Sequence, residues 1–122
     1  MFEIDIERDF AAAHCLKGYN GDCSALHGHN WVVQAFVKTG DLDEIGIAMD
    51  FRSLKKEIDD ILAELDHSCL NDIHPFKDKN PTSENLAKYI YEELSGRLNT
   101  DSVTVSRVRV CESPGSGATY SV

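Results

Sequence analysis

From Phe2 to Ala12 the apolar side chains occupy the even positions Phe2, Ile4, Ile6, Phe10 and Ala12, with Glu3, Asp5, Glu7 and Asp9 between them. Successive side chains of a strand point to opposite faces, so this alternation predicts a β-strand with one buried side. Arg8 is the single break, and His14 keeps the parity of the buried side. A second alternation runs at odd positions through Trp31, Val33, Ala35 and Val37, while Val32, Gln34, Phe36 and Lys38 face the other way. His27 and His29 share the parity of Trp31. The intervening KGYNGDCSAL has the glycines, Asn and Asp of a loop, and Gly40-Asp41 closes the second strand.

Helical spacing follows. Asp50 is a reasonable N-cap, and Phe51, Leu54, Ile58, Ile61, Leu62 and Leu65 form one apolar stripe. A second helix opens at Asn80-Pro81-Thr82, with Thr82 as cap and Leu86, Ile90, Leu94 and Leu98 recurring every fourth residue. The segment between them, DHSCLNDIHPFKDKN, is too polar and punctuated to be assigned to either element. Val103 and Val105 then alternate, and the phase slips to Val108 and Val110, which predicts a bulge near Ser106-Arg107. Ser113–Gly117 reads as the turn of a hairpin that ends in a short strand over Ala118–Val122. The order is ββααββ: an α+β fold with a four-stranded antiparallel sheet and two helices on one face.

A length of 122 residues predicts a single domain over 1–122 with a core that needs no disulfides. Hydrophobic residues are 42% and charged residues 27%, ordinary for a globular protein. No apolar run approaches the ~20 residues of a membrane helix, and MFEIDIERDF lacks the features of a signal peptide. The expected location is cytoplasmic, with no membrane partner. The net charge of -9 argues against nucleic-acid binding. One anionic small molecule remains compatible, because it needs only a local basic pocket. None of Cys15, Cys23, Cys69 and Cys111 forms a CxxC pair, so free thiols are expected.

The candidate chemistry begins with His27-Gly28-His29. Residues i and i+2 of a strand lie on one face, roughly 6.6 Å apart at ~3.3 Å per residue. Two such imidazoles can lean onto one ion, and His14 is the parity-matched third. Three protein ligands leave a tetrahedral position open, as in catalytic zinc sites. The alternative is ordinary core or surface histidines, and the joint pattern favours metal. Cys23 on its loop is either an incidental thiol or, beside a cation, a base or nucleophile. Asp66 and His67 are either an oriented carboxylate–imidazole pair or a helix end finished by a favourable His. Glu112 at a strand end is either solvated or a two-pronged acceptor for a planar donor edge; on pattern alone the solvated reading wins. His74 reads as surface.

Taken together, FxAAH at Phe10–His14, CxxxHGH at Cys23–His29, MDF at Met49–Phe51, LDH at Leu65–His67, LN at Leu70-Asn71, PTSENLA at Pro81–Ala87 and CESP at Cys111–Pro114 appear in order. This set resembles the 6-pyruvoyl-tetrahydropterin synthase family over nearly the whole chain, and within it the 6-carboxy branch of the bacterial queuosine pathway. The resemblance implies the tunnelling fold, with edge strands paired between subunits in a trimeric barrel and two trimers stacked into a homohexamer. It implies one zinc ion per chain on His14, His27 and His29. It makes Cys23, Asp66 and His67 the proton-transfer group and Glu112 the pterin anchor. The implied substrate is 7,8-dihydroneopterin triphosphate, and the implied products are 6-carboxy-5,6,7,8-tetrahydropterin, acetaldehyde and triphosphate. Lys17, Lys77, Lys79, Arg107 and Arg109 are the candidate phosphate partners, with nothing in the sequence to choose among them. The pyruvoyl branch shares substrate and metal without carbon–carbon cleavage. The three residues between Cys23 and His27 look like the carboxy branch, since the pyruvoyl branch usually carries a longer insert there. A metal-binding module without turnover is the alternative from another class.

Overall fold

The computed structural model of the chain describes residues 1–18 and 24–122. Strand β1 (Phe2–His14) pairs antiparallel with β2 (His27–Thr39) along its whole length, from Phe2 opposite Thr39 to His14 opposite His27. The alternation read from the sequence is the observed one. Ile6, Phe10, Ala12 and His14 are buried on β1, and Trp31, Val33, Ala35 and Val37 on β2. Helix α1 (Phe51–Leu62) and helix α2 (Ser83–Leu98) follow, with a two-residue strand β3 (Ser68–Cys69) and one 3₁₀ turn (Leu70–Asp72) between them. Strands β4 (Val103–Ser113) and β5 (Ser116–Tyr120) form the closing hairpin, with Gly115 in the turn at φ 87°.

The sheet has five strands in the order β3-β1-β2-β4-β5, and it is mixed, because β3 runs parallel to β1. The predicted four-stranded antiparallel sheet is therefore corrected. Two residues carry no periodicity to read. They are drawn into line from outside: the His67 amide donates to the Ala11 carbonyl at 2.6 Å, and Ser68 and Cys69 then pair with Ala12 and Ala13. The bulge is where the phase slip puts it. Phe36 lies opposite Arg107 and Val37 opposite Val105, so Ser106 is the extra residue. The slip brings Val108 and Val110 back to the buried face, and Glu112 continues that phase toward the end of β4.

Both helices begin as expected. Asp50 accepts from the Arg52 amide and Thr82 from the Asn85 amide. Helix α1 stops at Leu62, and Leu65 is buried from the turn beyond it. Phe51 departs from the expected stripe, being 51% exposed. Leu54, Ile58 and Ile61 of α1 and Leu86, Ile90 and Leu94 of α2 join the inner faces of β1, β2 and β4 in one core. Arg8, the break in the β1 pattern, reaches the helix layer and pairs with Asp59 of α1 at 3.0 Å. On its other side β1 is joined at Ala11, Ala12 and Ala13, so among the described residues its Phe2–Phe10 edge is open.

Candidate metal centre and functional site

Register assembles the histidines. His14 is the Cα partner of His27, and His29 that of Ala12, so three imidazoles share the inner face at one end of the β1–β2 ladder. Their ligand atoms all lie within 4.8 Å of one another, and Nε2 of His14 is 3.1 Å from Nε2 of His27. Trp31, fully buried, forms the floor. Its ring meets those of His14 and His29 edge-on at centroid distances of 4.9 and 5.2 Å, and its Nε1 donates to the Ala12 carbonyl.

The donor set fits a metal ion. Nδ1 of His14 lies 2.8 Å from the Pro81 carbonyl, and Nδ1 of His27 lies 2.7 Å from that of Ala25. A carbonyl only accepts, so each Nδ1 carries the proton and donates, which leaves both Nε2 atoms as lone pairs. Two lone pairs at that distance repel unless a cation lies between them. Nε2 of His29 is buried with no hydrogen-bond partner among the described residues, an unsatisfied polar atom that an ion would satisfy. Zinc–nitrogen bonds of about 2.0–2.1 Å in a tetrahedron place the nitrogens about 3.3–3.4 Å apart, close to the 3.1 Å between the Nε2 atoms of His14 and His27. Burial pushes the His14 imidazole below its usual pKa, and His27 and His29 add to this against the Pro81 carbonyl and Glu112. The neutral form so favoured is the ligating one.

Glu112 stands beside the cluster. Its Oε2 is 3.8 Å from Nε2 of His14 and 3.7 Å from Nε2 of His29, and its side chain is 43% exposed. The solvated-carboxylate reading from pattern alone misses this placement, because it depends on the bulge at Ser106 setting the phase of β4.

Asp66 and His67 touch each other. Asp66 Oδ1 accepts from the Ala11 amide at 2.9 Å, and Oδ2 lies 2.9 Å from Nδ1 of His67. The Ala11 amide, then His67, hold the Asp66 carboxyl below its usual range. His67 sits at φ 57°, a left-handed conformation uncommon for a residue other than glycine. Its side chain is 83% exposed, so with Nδ1 committed to Asp66 its Nε2 is presented to the outside. His67 lines an open cleft of about 400 Å³ with Ala11, Ala13, Gly28, His29 and Asn30, so one of the three clustered histidines borders the same cleft. Among the described residues no hydrogen bond or ion pair links the Asp66–His67 pair to the histidine cluster. Cys23 lies outside the described residues.

Two supporting residues, Asn71 and Pro81, carry no sign of their role in the sequence. Asn71 closes a backbone-like pair with Cys15, accepting from its amide and donating to its carbonyl at 2.9 Å each, which fixes the chain just past His14. Pro81 supplies the carbonyl that orients His14. Both lie in motifs that the resemblance quotes, LN and PTSENLA, but nothing in their residue types announces a role.

A family model described as 6-pyruvoyl tetrahydropterin synthase matches residues 3–122. A 6-carboxy-5,6,7,8-tetrahydropterin synthase of Bacillus subtilis is 33% identical, over 98% of this chain and 84% of its own length. A dihydroneopterin monophosphate aldolase of Pyrococcus furiosus is 38% identical over 84% and 82% of the two chains. The solved structure of a 6-pyruvoyl tetrahydropterin synthase from Caenorhabditis elegans superposes with a TM-score of 0.81 at 30% identity, covering 100% of this chain and 97% of the other.

Proposed function

The chain belongs to the 6-pyruvoyl tetrahydropterin synthase family, and from that membership and the histidine cluster we propose a 6-carboxy-5,6,7,8-tetrahydropterin synthase. It takes 7,8-dihydroneopterin triphosphate, releases triphosphate and acetaldehyde with uptake of water, and serves queuosine biosynthesis. The observation that carries this reading is the set of three imidazoles facing one point, two of them locked by carbonyls, with Glu112 beside them.

His14, His27 and His29 hold zinc, which supplies Lewis acidity toward side-chain oxygens. The chain's own groups do the rest. Glu112 accepts hydrogen bonds from the pterin ring N–H and 2-amino group and fixes the ring's register. Cys23, as thiolate, exchanges protons at the substrate side chain. His67 is the second proton carrier, its Nδ1–H held by Asp66 so that Nε2 faces the reacting atoms. Residues 1–122 act as one domain.

The outward presentation of His67 suits a site completed between copies, with the pair of one subunit serving the metal cluster of the next. The open edge of β1 supports such assembly. So does an apolar cleft of about 360 Å³ beside it, lined by Phe2, Ile4, Leu42, Ile47 and Phe51. A homohexamer of two trimers is the proposed form.

Incubation of metal-loaded protein with 7,8-dihydroneopterin triphosphate is expected to yield the 6-carboxy pterin by mass and acetaldehyde by a coupled assay. A pyruvoyl pterin without acetaldehyde would assign the pyruvoyl branch instead. Similarity to the Pyrococcus furiosus enzyme supports a second reading, action on the monophosphate, and turnover of that substrate alone would select it. Replacing Cys23 with Ala is expected to keep the fold and the metal while lowering kcat by ~10²-fold or more. Circular dichroism, elemental analysis and steady-state rates check it, and an undiminished rate would remove Cys23 from the reaction.

A further inference from the structure

In a chain of net charge -9, six of the twelve Lys and Arg side chains are ion-paired among the described residues. Arg8, Arg52, Lys56, Lys88, Arg97 and Arg107 each lie within ion-pair distance of a carboxylate. Arg107 is also stacked on Phe36 at 3.8 Å, and Arg109 donates to the Cys111 sulfur at 2.6 Å. Lys17, Lys77 and Lys79 have no ion pair among the described residues, and they line one pocket of about 210 Å³ with Phe76, Asp78 and Asn80. Asp78 offsets only one of the three charges, so the pocket stays net positive in an acidic protein and suits an anion.

The pocket is built and adjoins the metal cluster. Asn80 clamps Lys17 through two hydrogen bonds of 2.8 Å, accepting from its amide and donating to its carbonyl. Asn85 of α2 donates to the Asn80 carbonyl at 2.8 Å, and Phe76, 2% exposed, anchors the lysine-bearing loop in the core. The residue after Asn80 is Pro81, whose carbonyl orients His14. Lys17 follows His14 by three residues, at most about 11 Å of extended chain. Glu112 lies against the Nε2 side of His14, and the Asn80–Lys17 clamp adjoins the Nδ1 side. The cluster thus has a carboxylate on one side and, on the other, the segment that carries the lysine-lined pocket.

We propose that Lys17, Lys77 and Lys79 form the cradle for the polyphosphate end of the substrate, opposite a pterin held at Glu112, and that Arg107 and Arg109 take no part. This rests on the pterin-synthase reading above. Three ammonium groups match a triphosphate better than a monophosphate, so the cradle also favours the longer phosphate chain.

Calorimetry with inorganic triphosphate and with orthophosphate, on the metal-loaded full chain, tests it. Wild-type protein is expected to bind triphosphate more tightly than orthophosphate, and more weakly as salt rises. Affinity for triphosphate should fall at least about tenfold in Lys77→Glu/Lys79→Glu and in Lys17→Glu, on the scale of a lost charge-assisted contact. The change should stay under about twofold in Lys55→Glu, a partly exposed lysine of α1 that controls for the net-charge change of Lys17→Glu. No triphosphate binding by the wild type, equal binding by all variants, or an equal loss in Lys55→Glu would overturn the cradle. Turnover separates the two readings. Triphosphate binding that is lost with the lysines, in a protein that converts no pterin, sinks the synthase and leaves the cradle. Pterin conversion with an unchanged KM in the lysine variants does the reverse.

Discussion

Replacing His27 or His29 with alanine is expected to strip most of the metal and abolish turnover, and a chelator should do the same to the wild-type protein. Loss of an outer hydrogen-bonding partner costs a metal site about 10–100-fold, and loss of a ligand should exceed that, since two nitrogens remain of three. The fold should survive, because His27 is exposed and the core beneath the cluster, Trp31 with Phe10 and Val33, does not depend on it. His14 is the poorer choice for the experiment. It is 1% exposed and bonded to Pro81, so its removal also disturbs the joint between β1 and the start of α2. Elemental analysis should find about one zinc per chain before treatment and little after. Full activity in protein shown to be free of metal would end the metal-dependent reading.

Glu112→Gln should lose pterin affinity by roughly 2–6 kcal/mol, from two ring donors left unpaired at about 1–3 kcal/mol each. The amide keeps the shape and turns one acceptor oxygen into a donor that faces the pterin's own N–H groups. Zinc content is the control that the geometry demands. With Oε2 at 3.7–3.8 Å from two of the histidine nitrogens, Glu112 is close enough to compete for the ion as well as for the ring. Retained zinc with lost pterin binding, by calorimetry on metal-loaded protein, identifies an anchor. Lost zinc identifies a ligand. Glu3→Gln is a charge-matched comparison, since Glu3 sits at the far end of β1, bonded to Ser106 and Arg107, and should leave affinity unchanged.

Much of the architecture was written in the one-dimensional pattern. The parity of β1 and β2 placed His14, His27 and His29 on one face, and the register of thirteen paired positions brought them together as that parity requires. The slip between Val105 and Val108 became a bulge at Ser106. These features are legible because side-chain alternation is local: each residue's face follows from its neighbours two positions away. The order of motifs likewise carried the family, since all seven lie within residues 10–114.

What the sequence did not determine depends on contacts between distant segments. β3 exists because Asp66 and His67 bond to Ala11, some 55 positions earlier. The orientation of Glu112 depends on a bulge several residues upstream, and that of His14 on a carbonyl 67 positions later. The choice among five candidate phosphate-binding cations was open in the sequence because every lysine and arginine looks alike there. Tertiary structure engaged Arg107 with Glu3 and Arg109 with Cys111, and left Lys17, Lys77 and Lys79 around one pocket. Periodicity reports which way a side chain points, whereas partnership is set by what the folded chain brings within about 3–4 Å, and only the packed molecule decides that.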